Sequence, residues 1–173
     1  VVPFLLASFT IVALWSLMQN ILFALGGVHF EVMAGRPNGS FSEPDWLGMY
    51  LLFFVALALA WLYRHLVLRQ RLILSIAPSL LLFLASLVLF LSMTRSAWLG
   101  LAVMGAFFAL AVMTVSMKLG EPKRGVRLLG QSAGIIMVAL LLIPLLHLSR
   151  FDIFDRADST GGEQKITIAC DQD

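Results

Sequence analysis

Three stretches carry most of the side chains able to do chemistry. Residues 35–51 read GRPNGSFSEPDWLGMYL and hold Arg36 and Glu43, and residues 92–101 read SMTRSAWLGL and hold Arg95. Residues 150–168 read RFDIFDRADSTGGEQKITI and hold Arg150, Arg156 and Lys165. A guanidinium offers a planar fork of donors that matches phosphate in bidentate fashion. Several arginines on one face of a membrane would point to an anionic ligand, for which a lipid-linked head group is one candidate. A general base for an attacking hydroxyl could be a carboxylate or a His on the same side. Glu43, at the head of the second apolar run, fits best by position, while capping that helix is its plainer role. Arg95 lies in a turn between two apolar runs, where a cation either snorkels to lipid headgroups or faces a polar cavity. One Cys and three scattered His give no metal-ligand spacing, so no metal and no cofactor is expected.

The elements that must position these residues follow from composition. Of the 173 residues, 60% are hydrophobic and 13% charged, with a mean hydropathy of +0.94. Soluble domains run at about 45–50% apolar and about 25% charged residues, so a soluble enzyme, a disordered chain and a disulfide scaffold are excluded. The pI near 9.0 reflects a net charge of +2 spread over separate loops, which makes no stripe for nucleic acid. Five windows, 3–25, 46–63, 72–92, 96–117 and 128–148, are free of Lys, Arg, Asp and Glu. Each matches the roughly 20 residues of helix that cross a bilayer core, where backbone must satisfy its own hydrogen bonds. The first is no signal peptide, for want of a basic leader and a small-residue cleavage site. The expected fold is an all-α integral membrane protein: a helical region over residues 1–149 and an extracytoplasmic tail over 150–173. The start at Val1-Val2 and the polar end read as a piece of a longer protein.

Charge sets the orientation. Residues 64–71 carry Arg64, Arg69 and Arg71, and residues 118–127 carry Lys118, Lys123, Arg124 and Arg127, with Glu121 the one acid between them. The positive-inside rule makes both loops cytoplasmic and turns residues 26–45, the 94–96 junction and the tail outward. All four candidate arginines then share the outer face.

In order and spacing these stretches resemble the O-antigen ligase-like family of bacterial membrane proteins, which includes O-antigen ligases and Wzy-type polysaccharide polymerases. Its members show a Gly-Arg stretch followed by Phe-x-Glu-Pro-Asn entering a helix, then Thr-x-Ser-Arg-(Gly/Ser)-Ala-Trp-Leu entering another. Arg-Ser-Ala-Trp-Leu-Gly at 95–100 is the most specific match, and Glu-Pro-Asp-Trp at 43–46 supports it. Asp45 departs from the family's Asn, and GGEQKI at 161–166 lacks the second tail arginine. The resemblance implies a metal-independent glycosyltransferase of the inner membrane. It would move a glycan from a polyprenyl-diphosphate carrier to a hydroxyl on a glycan or lipid acceptor, among membrane lipids and without nucleic acid. It further implies Arg36, Arg95, Arg150 and Arg156 as substrate-binding residues, Glu43 as the candidate base, and a catalytic His beyond Asp173. The alternative is a transporter or flippase segment gripping an anionic lipid-linked substrate, although transporters usually hold polar sites near mid-membrane.

The remaining polar residues have plainer readings. His65 is expected to be solvated in its loop, His29 to be a weak base candidate, and His147 to pack at the interface near Pro144. Ser8, Ser16, Gln19 and Asn20 share about a third of the first helix and either line a substrate groove or bond between helices. Ala102, Ala106 and Ala109 give the fourth helix a small-residue packing face. Asn38-Gly39-Ser40 reads as a turn. Alternation over 166–170 reads as a short strand, with Cys170 lacking a partner in this chain.

Overall fold

The structure, a computed structural model, describes residues 2–25, 36–67, 75–146 and 148. Among them there are five helices and no strand: α1 (Val2–Ala24), α2 (Pro44–Val67), α3 (Ile76–Leu91), α4 (Arg95–Lys118) and α5 (Pro122–Leu145). Four of these, α1, α2, α4 and α5, are long and apolar enough to cross a membrane, and α3 is a shorter apolar helix. Large apolar side chains such as Phe4, Ile11, Leu99, Phe107 and Leu145 stand more than half exposed. A water-soluble surface does not carry so many, whereas a lipid-facing one must. The chain is built as a multi-pass membrane protein.

Helix ends follow local chemistry. Pro44 and Pro122 occupy first-turn positions, where the missing N–H costs nothing. The Glu43 carbonyl accepts the N–H groups of Trp46 and Leu47, so Glu43 starts α2 through its backbone. Asp45 in the first turn of α2 and Arg64 in the last complement the helix dipole. Between α3 and α4 the chain reverses over Ser92, Met93 and Thr94. Between α4 and α5 it reverses over Leu119 and Gly120, where Gly120 has φ +70°.

Two expected boundaries are corrected. The 118–127 loop shrinks to this tight reversal, because α5 begins at Pro122 rather than 128. Lys123, Arg124 and Arg127 therefore ride on the helix. The expected 72–92 span is helical over Ile76–Leu91, which at about 1.5 Å per residue is roughly 24 Å long. The segments 26–35 and 68–74 and the tail from 149 lie outside the described residues. So do the readings that fall on them: Arg150, Arg156, Lys165, His29, the strand over 166–170 and Cys170. His147 lies outside them too.

α2 packs on α3 and α4, and α5 closes the group by packing on the same two helices. α1 lies alongside α2 and α3, with Phe9 and Phe54 ring centroids 4.7 Å apart and the Ser8 and Tyr50 hydroxyls 2.9 Å apart. Phe54, Leu47, Leu51, Leu62, Leu82, Leu89 and Val88 fill the centre with essentially no exposure. This alternating course gathers the end of α1, the starts of α2 and α4 and the end of α3 at one end of the bundle. Arg64, Lys118, Lys123, Arg124 and Arg127 stand at the other. There Arg124 reaches Glu121 at 3.3 Å and the His65 carbonyl at 3.5 Å, joining the start of α5 to the end of α2.

Candidate functional site

The site is built around the reversal at 92–94. Met93 holds φ +53° while only 1% exposed, a left-handed conformation uncommon for a side chain of this size. Such backbone persists where neighbours over-determine it, and here they do. The Ser92 hydroxyl donates to the Leu89 carbonyl at 2.7 Å and lies 3.0 Å from the Thr94 hydroxyl. Thr94 in turn reaches the Pro44 carbonyl at 3.3 Å. Thr94 occupies the cap position of α4, yet its hydroxyl serves α2 instead of its own helix. Close by, a Cβ on Gly48 would come within 3.0 Å of the Ala97 Cβ and 3.1 Å of Thr94, so glycine lets the two helix starts touch.

Arg36 completes the arrangement from the other motif. Its Nε donates to the Ser92 carbonyl at 3.2 Å and its Nη2 meets the Asp45 carboxylate at 3.3 Å. The side chain is 15% exposed against 59% for Asp45. One guanidinium thus ties the loop before α2 to the first turn of α2 and to the reversal that presents Arg95. Arg95 itself is exposed at the first position of α4. Glu43 is exposed at the same end, one residue before α2. The two motif stretches therefore meet at one end of the bundle, with Arg36 acting there as a clamp.

The loop is fastened from below by α1. The Gln19 side-chain carbonyl accepts the Gly39 N–H at 2.9 Å, and its amide reaches Gly39 O and Asn38 Oδ1, each at 3.3 Å. Asn38 also bonds the Phe41 carbonyl. Gly39 has φ +60°, and a Cβ there would lie 3.0 Å from the Ser16 hydroxyl. The Asn38-Gly39-Ser40 stretch is thus a turn, as its sequence suggests, and glycine is needed for both conformation and space. The polar stripe of α1 lines no open groove. Ser16, Gln19 and Asn20 are at most 3% exposed, and among the described residues only Ser8 of the four bonds to another helix. Gln19 holds the loop and Ser16 bonds back to the Val12 carbonyl. The Asn20 Oδ1 is buried with no hydrogen-bond partner among the described residues.

Other expectations shift. His65 is half-buried rather than solvated, with both ring nitrogens shielded and without a hydrogen-bond partner among the described residues. The cause is that α2 runs on to Val67, which puts position 65 against the start of α5. Of the expected small-residue face of α4, Ala102 and Ala106 are exposed and only Ala109 is half-buried, so most of it faces away from the other described helices. Sequence reasoning passed over Ser92 and Thr94 as flanking residues and took Asp45 only as a departure from a pattern. The available signal was an acid nine residues from a cation across a turn-rich loop. Among the described residues no cluster of His, Cys, Asp and Glu is arranged to hold a metal ion.

No family model matches this chain, and no curated protein and no solved structure is similar to it.

Proposed function

We propose that this chain is part of a bacterial inner-membrane glycan ligase or polymerase of the O-antigen ligase-like kind. The observation that carries the reading is the bond between Arg36 and the Ser92 carbonyl, 56 residues apart in sequence. It joins the two stretches on which the resemblance rests. In this reading the end bearing Arg36 and Arg95 faces outward, and the end bearing Arg64, Lys118, Lys123, Arg124 and Arg127 faces the cytoplasm.

The reaction moves a glycan from a polyprenyl diphosphate to an acceptor hydroxyl. The acceptor oxygen bonds to the anomeric carbon, the bond from that carbon to the diphosphate oxygen breaks, and the hydroxyl proton passes to a base. Negative charge grows on the departing diphosphate. A cation fixed in advance beside it lowers the barrier because it binds the transition state more strongly than the ground state. Arg95 is the residue for that role, since it is exposed and mounted on a rigid reversal. Arg36, with two donors committed to Ser92 and Asp45, is a positioning residue for that mount. Glu43 stands at the same end as the candidate base. Arg150 and Arg156 remain proposed contacts from the tail.

The test is replacement of Arg95 in the protein as its host produces it, with membrane abundance checked first. Arg95→Lys and Arg95→Ala should each lower glycan transfer about 100- to 1,000-fold, the scale of losing one oxyanion-type donor. Lys keeps the charge and loses the fork. Arg64→Lys at the opposite end should leave transfer unchanged. Near-normal product from Arg95→Lys would mean that Arg95 only snorkels, and would remove the catalytic reading.

A further inference from the structure

A groove of about 570 Å³ runs between α3 and α5, lined by Ser75, Ser79, Phe83, Gly130, Gln131 and Gly134 among others. On α5 the lining residues Gln131, Gly134 and Val138 share one stripe, and Lys123 and Arg127 stand on the same stripe two turns and one turn before Gln131, outside the lining itself. Lys123 and Arg127 are exposed at the basic end of that stripe. One turn further, the Gln131 amide donates to the Ser79 hydroxyl at 2.9 Å and to Ser75 at 3.3 Å, while its carbonyl oxygen is buried with no hydrogen-bond partner among the described residues. Gly130 beside it and Gly134 a turn further on have nothing within 4 Å of their Cβ positions, which leaves the floor open. Leu80, Phe83, Ile135 and Val138 form the walls, and Leu80 and Val138 are more than half exposed. Cations in the first turns of α5 also oppose its dipole. Helix stability therefore gives no reason for Lys123 and Arg127, and the first turn carries no acid.

We propose that this groove is a binding site for one acidic phospholipid at the basic end of the bundle. The headgroup phosphate sits by Lys123 and Arg127, and the glycerol region lies at the level of Ser75, Ser79 and Gln131. One acyl chain lies over Gly130 and Gly134 against Phe83 and Val138. The order cation, hydroxyl and amide, then apolar wall repeats the order of groups in such a lipid along the bilayer normal. The groove volume lies within the range of about 300–1,000 Å³ usual for ligand sites. This site is at the opposite end from Arg95 and does not depend on the glycan-transfer reading.

The test uses the protein in nanodiscs of phosphatidylcholine containing phosphatidylglycerol, with retained lipids counted by native mass spectrometry. Phosphatidylglycerol should be retained in preference to phosphatidylcholine. Lys123→Gln with Arg127→Gln should lower that preference about 30-fold, or about fivefold per cation. Gly130→Leu with Gly134→Leu fills the floor without backbone conflict, and should abolish retention of both lipids with helix content by circular dichroism unchanged. Arg64→Gln with Lys118→Gln, an equal charge loss at the same end but outside the groove, should leave the preference intact. Retention indifferent to the glycine pair, or an equal loss from the Arg64 and Lys118 pair, would overturn the site. If the glycine pair instead dissociates an oligomer while lipid retention persists, the groove is a helix-docking surface and the proposal fails.

Discussion

At the residue scale the two partners of Arg36 are unequal. The Asp45 carboxylate is largely in solvent, where an ion pair contributes little because water and salt screen it. The Ser92 carbonyl lies in a residue with no exposure and accepts, besides the Arg36 Nε, a long 3.4 Å bond from the Thr94 hydroxyl. Losing the guanidinium leaves a buried acceptor poorly satisfied, at a cost towards the lower end of about 1–3 kcal/mol. Arg36→Ala should therefore lower the unfolding midpoint of the purified protein clearly, whereas Asp45→Asn, which keeps an acceptor oxygen, should barely move it. Equal effects in a thermal melt would mean that the guanidinium holds the loop by charge rather than by its bond to the reversal. Arg95 belongs to the same scale but to a different experiment, in which glycan transfer is read at matched membrane abundance.

At the element scale the contact between α2 and α4 depends on one missing side chain. Gly48→Leu must push the helix starts apart and should cost about 1–3 kcal/mol by overpacking. Gly105→Ala, mid-way along α4 with open space around it, should be neutral or stabilising by up to about 1 kcal/mol from helix propensity. Chemical denaturation of both variants in one detergent checks the pair, and a neutral Gly48→Leu would refute the close approach. The five helices were legible because apolar runs without charges have few other solutions in lipid. Their ends were less so. Lys123, Arg124 and Arg127 look like loop by charge, yet Pro122 starts a helix and the cations simply project from its first turns. The polar stripe of α1 was visible in sequence, but its use was not. What Gln19 bonds to is a loop twenty residues on, and no periodicity encodes that. Likewise the Arg36 clamp is a long-range pairing, and only the presence of both partners could be read.

At the scale of the whole molecule, the basic residues described at one end and the Arg36 and Arg95 pair at the other make orientation a single question. A reporter active only in the cytoplasm should work when fused after Arg69 or Gly120 and stay silent when fused after Gly39. The inverse pattern would reverse the proposed outer site together with the inner lipid site. The shortness of α3 has its own effect on the membrane around the protein. Its first half exposes Ile76 and Leu80, while Ala85 to Leu91 are buried among other helices. Its described helix of roughly 24 Å is about 6 Å shorter than a hydrocarbon core of about 30 Å. The cheap response is a locally thinned bilayer, at a fraction of a kcal/mol per ångström of mismatch. A bilayer that thinned to match α3 would dimple on that side only. Where acyl chains vary in length such a protein would partition towards the thinner membrane, and two copies would attract weakly through shared dimples.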